Sequence, residues 1–291
     1  MDALEKAGNA NVSSVQGTFS RKETKYRLSP TQFESLMGAI GDRLEEEPFG
    51  RSKVSSLYYD TPAFDLISRS LEKPLYKEKL RIRAYGAYDP DAAFYVELKK
   101  KFKGIVYKRR IQLSEKAAYL LMAARPYEQV VRSFPLAQDK RTMQMSAQVE
   151  SQIAHELEAC VKRYPRLKPA MMVVVDRLPL RSTDGSDVRI TFDFDARYRT
   201  ENLAFSQKAP ASPIFPDGQI VMEVKCQGAY PLWLVAAFNR VEAYCRPCSK
   251  YGAAYERLYG GQPVRATRGA NAPRPSAVFS PLFHATAANA R

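Results

Sequence analysis

Several stretches of this chain place charged residues at alternate positions with apolar residues between them. From Lys77 to Tyr85, the side chains of Lys77, Lys79, Arg81 and Arg83 share one side of an extended backbone and Leu80, Ile82 and Ala84 the other, because successive strand side chains face opposite ways. Glu78 is the exception, an acid on the apolar side. The same period runs through Arg21, Glu23, Lys25 and Arg27; through Glu97, Lys99 and Lys101 against Val96 and Leu98; through Arg189, Thr191 and Asp193 against Ile190, Phe192 and Phe194; and through Glu223 and Lys225 against Met222 and Val224. A solvated antiparallel sheet accounts for one or two such faces. This many predict an α+β fold built on a closed antiparallel β-barrel with a charged lumen and helices packed outside on its apolar exterior. The lumen is mostly cationic, so its contents should be anionic.

Overall charge points the same way. Across 291 residues, Lys and Arg number 45 and Asp and Glu 31, a formal net charge of +14. Such a surplus suits a polyanionic partner, whether nucleic acid, phosphate chains or an acidic membrane surface, and does not choose among them. No apolar run reaches the roughly 18 to 20 residues needed to span a bilayer, and residues 1–17 lack the apolar core of a signal peptide, so a cytoplasmic protein without a transmembrane segment is expected. Four cysteines are too few for a disulfide framework. With only His155 and His284 available, the lone Cys245-Arg246-Pro247-Cys248 lacks ligands for zinc.

Composition divides the chain into a disordered N-terminus (1–17), one folded domain (18–260) and a disordered tail (261–291) rich in Ala, Pro and Arg. Ser29-Pro30 should open a helix that carries Phe33, Leu36, Met37, Ile40 and Leu44 and ends near Glu47-Pro48. Val54 to Asp60, Val173 to Arg181, Val188 to Asp195 and Ile220 to Cys226 read as strands, and Phe94 to Lys101 with Ile105 to Leu113 as a hairpin. Ser114 caps a short helix, Met143 to Val161 holds the longest one, and Leu232 to Cys245 and Lys250 to Tyr259 form two more. Tyr58, Tyr59, Tyr85 and Tyr107 could stack bases but read as strand packing residues, and Trp233 reads as core.

The order of short motifs is more specific than any of them singly: Arg-Lys-Glu-Thr-Lys-Tyr (21–26), Ser-Leu-Tyr-Tyr-Asp-Thr-Pro (56–62), Lys-Leu-Arg-Ile-Arg-Ala-Tyr-Gly (79–86), Val-Glu-Leu-Lys-Lys (96–100), Tyr-Lys-Arg-Arg (107–110), Asp-Arg (176–177), Val-Arg-Ile-Thr-Phe-Asp (188–193), Met-Glu-Val-Lys (222–225) and Ser-Lys-Tyr (249–251). The series resembles the triphosphate tunnel metalloenzyme (CYTH-like) superfamily and, within it, the polyphosphate polymerase domain of the vacuolar transporter chaperone (VTC) complex. That resemblance implies phosphate ligands at Lys25, Arg81, Arg83, Lys99, Lys108, Arg110, Arg177, Arg189 and Lys250, with Lys77 and Lys79 as further candidates on the Arg81 face. It implies a metal carboxylate at Glu223 and makes Glu223, Lys250 and Arg177 the catalytic candidates. Glu23 and Glu97 share the inward register and are candidates for metal or for neutralising nearby cations. The implied cofactor is Mn²⁺ or Mg²⁺, whose hard-oxygen preference suits one or two carboxylates plus substrate phosphates.

The activity implied is transfer of the γ-phosphate of ATP to a growing polyphosphate chain, with ATP and polyphosphate or tripolyphosphate as partners and no specific nucleic acid. Hydrolytic relatives typically begin with Glu-x-Glu-x-Lys, whereas this chain has Arg21 at the first carboxylate position. That favours polymerase over the alternatives, a metal-dependent tripolyphosphate or nucleoside triphosphatase and a non-catalytic polyphosphate-binding module.

Overall fold

The computed structural model describes residues 21–260. The expectations for 1–17 and 261–291 lie outside them. In chain order the elements are β1 (Arg21–Leu28), α1 (Pro30–Ile40), β2 (Leu44–Glu46), β3 (Ser52–Asp60), α2 (Asp65–Leu71), β4 (Tyr76–Tyr85), β5 (Phe94–Phe102), β6 (Ile105–Leu113), α3 (Glu115–Met122), α4 (Tyr127–Ser133), α5 (Ala147–Arg163), β7 (Lys168–Ser182), β8 (Arg189–Arg199), β9 (Ser212–Pro213), β10 (Ile220–Gln227), α6 (Leu232–Arg240) and α7 (Lys250–Tyr259). The strands form one antiparallel sheet in the order β1-β10-β8-β7-β3-β4-β5-β6, with β2 added to β7 and β9 to β8.

This sheet is a strongly curled half-barrel, not the closed barrel that the alternation predicts. Its end strands β1 and β6 do not pair with each other. They approach closely enough for side chains to meet: Glu23 on β1 lies 3.2 Å from the Lys108 ammonium on β6. Part of the free edge of β1 is taken by the CxxC segment, where Tyr26 bridges to Cys245 and the Arg246 amide donates to the Lys25 carbonyl at 2.9 Å. Both cysteines of that segment are free thiols. Alternation fixes which way side chains point but not whether the first and last strands meet.

Two apolar layers cover the convex face. Leu80, Ile82, Val96, Leu98 and Ile111 pack under α3, α4 and α5, and Ile190, Phe192, Met222 and Val224 under α1 and α6. Glu78 lies under the first layer, 3% exposed, held by Arg163 at 3.0 Å and by the hydroxyls of Tyr164 at 2.6 Å and Tyr76 at 2.7 Å. A buried acid is tolerated there because each oxygen has donors.

A third apolar cluster corrects the expectation that all helices lie outside. Val54, Tyr58, Val173, Val175 and Val221 pack with Tyr251, Ala254 and Tyr255 of α7 and Ile67 of α2. Tyr58 stands opposite Arg81, and Val221 two residues before Glu223, so this cluster is on the concave, charged side. Helix α7 therefore sits inside the curl. A Cβ at Gly252 would come within 3.1 Å of Leu71, so glycine lets α7 seat closely on α2.

Local chemistry explains the element ends. Ser29 and Gln32 form a reciprocal capping box at the start of α1 with Pro30 in the first turn. That helix stops at Ile40, earlier than Glu47-Pro48, because the chain passes Gly41 and turns Leu44–Glu46 into a strand paired with β7. Helix α6 likewise ends at Arg240 instead of Cys245. The β5–β6 hairpin turns on Lys103 and Gly104, both at positive φ (46° and 89°), the conformation of a tight primed turn. Trp233 packs partly buried against the second apolar layer, at its margin, and donates its indole N–H to Asp184 at 2.8 Å. No helix among the described residues is long and apolar enough to cross a membrane.

Candidate functional site

Residues directly opposite one another on antiparallel strands point to the same face. On β4, β5 and β6 this aligns Arg81, Glu97 and Arg110 in one row across the concave surface. Glu97 lies 2.6 Å from Arg81 Nε, 2.7 Å from Arg110 Nε and 3.9 Å from Arg83 Nε. Burial pushes the Glu97 carboxyl up, but Arg81, Arg83 and Arg110 outweigh it and hold the group well below the usual carboxylate range. The arginines also meet hydroxyls: Arg81 donates to Tyr58 at 2.9 Å, and Arg83 to Ser56 at 3.2 Å and to Tyr85 at 3.3 Å. Arg110 donates to Tyr85 as well.

A lysine cluster faces it from β1 and β10. Lys25 and Glu223 are register partners, with Nζ and Oε1 2.9 Å apart. Lys25 also lies 3.4 Å from Glu23, and Lys225 3.5 Å from Glu223. Glu23 reaches across the opening to Lys108 at 3.2 Å and Lys99 at 3.7 Å. Burial and Glu223 push the Glu23 carboxyl up, yet Lys99, Lys25 and Lys108 together bring it down to about 2. Burial likewise opposes ionisation of Glu223, and Lys25, Lys250, Lys225 and Arg177 overcome it.

The third group centres on Asp193, which is fully buried. Arg177 binds it through two parallel hydrogen bonds of 2.7 and 2.8 Å, and Lys250, the first residue of α7, pairs with Oδ2, the oxygen that also accepts from Arg177 Nη2. Lys79 donates to the Ser249 hydroxyl at 2.6 Å. Burial first, then Lys77, Lys99 and Lys25, lower the Lys79 ammonium to about 8. Lys77 donates to the Ser70 carbonyl at 3.0 Å at the edge of this group. Arg189 stands apart, half exposed on a rim with Glu47 at 3.6 Å.

The curl thus gathers Lys25, Lys79, Arg81, Arg83, Lys99, Lys108, Arg110, Arg177 and Lys250 around four carboxylates, Glu23, Glu97, Asp193 and Glu223. Cations exceed acids, so the cleft carries net repulsion; two like charges ~4 Å apart repel by about 4 kcal/mol at an effective dielectric near 20. An anion with several oxygens relieves it.

A model of the VTC domain matches residues 20–259, most of the chain. The protein belongs to the VTC domain family. No curated protein sequence matches it. Among solved structures, this VTC domain is similar to a candidate adenylate cyclase from Bacillus halodurans (14% identity, 79% of this chain and 95% of that one, TM-score 0.43). It is also similar to a candidate adenylyl cyclase from Hippeastrum described as having a dominant triphosphatase activity (16% identity, 81% and 95%, TM-score 0.45).

Sequence reasoning gave no site role to several residues of the VTC cleft. Tyr58 and Tyr85 contact its arginines, Ser249 holds Lys79, and Lys225 flanks Glu223. The signal for Tyr85 was present, since it continues the alternation Lys77, Lys79, Arg81, Arg83. Ser249 stands in the Ser-Lys-Tyr motif and caps α7, but nothing local marked its contact with Lys79 on β4.

Proposed function

We propose that this VTC domain is a polyphosphate polymerase that transfers the γ-phosphate of ATP to the end of a growing polyphosphate chain lying in the concave cleft. The observation that carries this reading is the arginine row in which Arg81, Arg83 and Arg110 converge on one buried carboxylate, Glu97, while lysines face them across the cleft. Guanidinium groups fixed in this way offer N–H forks to phosphate oxygens, and lysines add point charge. Glu97 then acts as the anion that organises the arginines.

The reaction needs no protein nucleophile. A terminal oxygen of the acceptor chain attacks the γ-phosphorus of ATP, the bond from that phosphorus to the bridging oxygen breaks, and ADP leaves with that oxygen. The contribution of the chain is alignment and charge stabilisation. Lys25, Lys99, Lys108 and the arginines hold the phosphates. Arg177 and Lys250, fixed by Asp193, stand ready to stabilise the transferring charge.

A divalent cation, Mn²⁺ or Mg²⁺, fits only together with the phosphate chain. Among the described residues no group of three acidic, His or Cys side chains could hold one alone. Glu223 and Glu23 share Lys25, so they supply two carboxylates where substrate oxygens would complete the shell. When bound, the cation would neutralise phosphate oxygens. The same pair of carboxylates is the observation in favour of the second reading, a tripolyphosphatase, since two acids can also position a water.

Phosphorus-31 NMR of the protein with ATP and Mn²⁺ tests the reading. Growth of internal-phosphate signals with ADP is expected. Orthophosphate release from ATP or tripolyphosphate with no internal-phosphate signal would move the protein to the hydrolase class.

A further inference from the structure

We propose that Tyr58 and Tyr85 are phosphate ligands, each donating its hydroxyl proton to a non-bridging oxygen of a phosphate gripped by Arg81, Arg83 and Arg110. This rests on the reading of the cleft as a phosphate-chain site. Both hydroxyls are used as acceptors: Tyr58 accepts from Arg81 at 2.9 Å, and Tyr85 accepts from Arg83 at 3.3 Å and from Arg110. Among the described residues, neither has an acceptor for its own proton. For Tyr58, which is 7% exposed, that is an expensive arrangement, because a buried donor without a partner forfeits the hydrogen bond it makes in water.

The geometry supplies the missing acceptor. Arg81 spends Nε on Glu97 and Nη1 on Tyr58, so the remaining N–H groups of its fork are free for an incoming oxygen. An oxygen bound there lies beside the Tyr58 hydroxyl. The Tyr58 ring cannot swing away, since it is stacked on Tyr251 with centroids 4.3 Å apart. A phenol also adds a donor without adding another positive charge to a crowded cationic surface.

The groups facing Tyr58 are Lys79, Arg81 and Arg83 on β4 and Tyr251 on α7. Burial pushes the phenol up, and Arg81, Arg83 and Lys79 outweigh it, bringing it down to about 8. It remains protonated at neutral pH and is a stronger donor than an ordinary tyrosine.

A double-mutant cycle separates direct contact from mere support of Arg81. Tripolyphosphate affinity is measured by calorimetry at pH 7 for wild type, Tyr58→Phe, Tyr85→Phe, Arg81→Ala and Tyr58→Phe/Arg81→Ala, with Tyr107→Phe on the exposed outer part of β6 as control. Each cleft Tyr→Phe change should weaken binding about tenfold or more, as expected for a hydrogen bond to a charged group, and the Tyr58→Phe factor should persist in the Arg81→Ala background. If it vanishes there, Tyr58 only positions Arg81 and the assignment is overturned. Should Arg81→Ala fail to fold, ultraviolet titration of the phenols decides. The acid-shifted step, absent in Tyr58→Phe, should move to higher pH when tripolyphosphate is added, and a step that stays put overturns the proposal. Normal wild-type binding with unchanged Tyr→Phe affinities would defeat the tyrosine assignment alone, whereas no wild-type binding would defeat the phosphate-chain reading beneath it.

Discussion

Tyr251 lies face to face on Tyr58, with ring planes inclined by 12°, and donates its hydroxyl proton to Asp60 at 2.8 Å. Asp60 also accepts the backbone N–H groups of Thr61, Leu66 and Ile67, so one buried carboxylate ties β3, α2 and α7 together. Lys250, which pairs with Asp193, directly precedes Tyr251 in the chain. Tyr251→Phe keeps the stack and removes one hydrogen bond to a charged group, which should cost about 1.5–3 kcal/mol at pH 7. Burial pushes Asp60 up to about 6 despite its donors, so it ionises late. The cost should therefore shrink as pH falls below that value and the carboxyl takes up a proton. Urea denaturation of both proteins at pH 7 and pH 5 checks the difference.

Removing the charge of Asp193 strands two cations. Asp193→Asn leaves Arg177 and Lys250 without their shared anion, a change expected to cost about 3–5 kcal/mol. Tripolyphosphate should restore part of it, because the ligand supplies the lost negative charge. Melting curves with and without tripolyphosphate measure both effects, and equal ligand shifts in mutant and wild type would contradict the idea.

The acid limb of stability should carry the signature of Glu23. Its folded-state value, about 2, lies below the ordinary 4.5, so its ion pairs stabilise the fold above pH 4.5 and that contribution is lost as pH falls toward 2. Circular dichroism of wild type and Glu23→Gln should show a gap in stability at pH 6 that closes on acidification.

Anion binding near pH 8 should take up protons. Lys79 is lowered to about 8 by burial and by Lys77, Lys99 and Lys25, and Lys99 is lowered too. Filling the cleft with phosphate offsets that repulsion and draws protons onto the amines. Calorimetry of tripolyphosphate binding in buffers of different ionisation enthalpy reads the proton count directly, and it should fall in Lys79→Ala.

Glu223→Gln separates grip from turnover. The change removes a carboxylate that pairs with Lys25 and Lys225 but no cation, so tripolyphosphate affinity should hold or rise while metal-dependent turnover is lost. Full activity in this variant would remove Glu223 from the mechanism.

Much of this arrangement could be read from alternation. It set the facing of β4, β5, β8 and β10, and it marked Glu78 as the odd acid that the structure buries under α5. Register was not legible, because pairing Lys25 with Glu223 or Arg177 with Asp193 is decided by strands far apart in the chain. Alternation is also blind to what fills a concavity. The apolar patch of Val54, Val173 and Val175 is made for α7, and only the assembled sheet sets the hydroxyl of Tyr58, packed in that patch as expected, against Arg81.

The rims of the sheet are joined by side chains and not by backbone: Glu23 spans from β1 to Lys99 and Lys108. Such a cross-section is a cradle instead of a ring. A ring is closed by backbone hydrogen bonds, whereas this cradle is clasped by exchangeable ion pairs. Parting those ion pairs would open the cradle along its side without breaking a backbone hydrogen bond between β1 and β6.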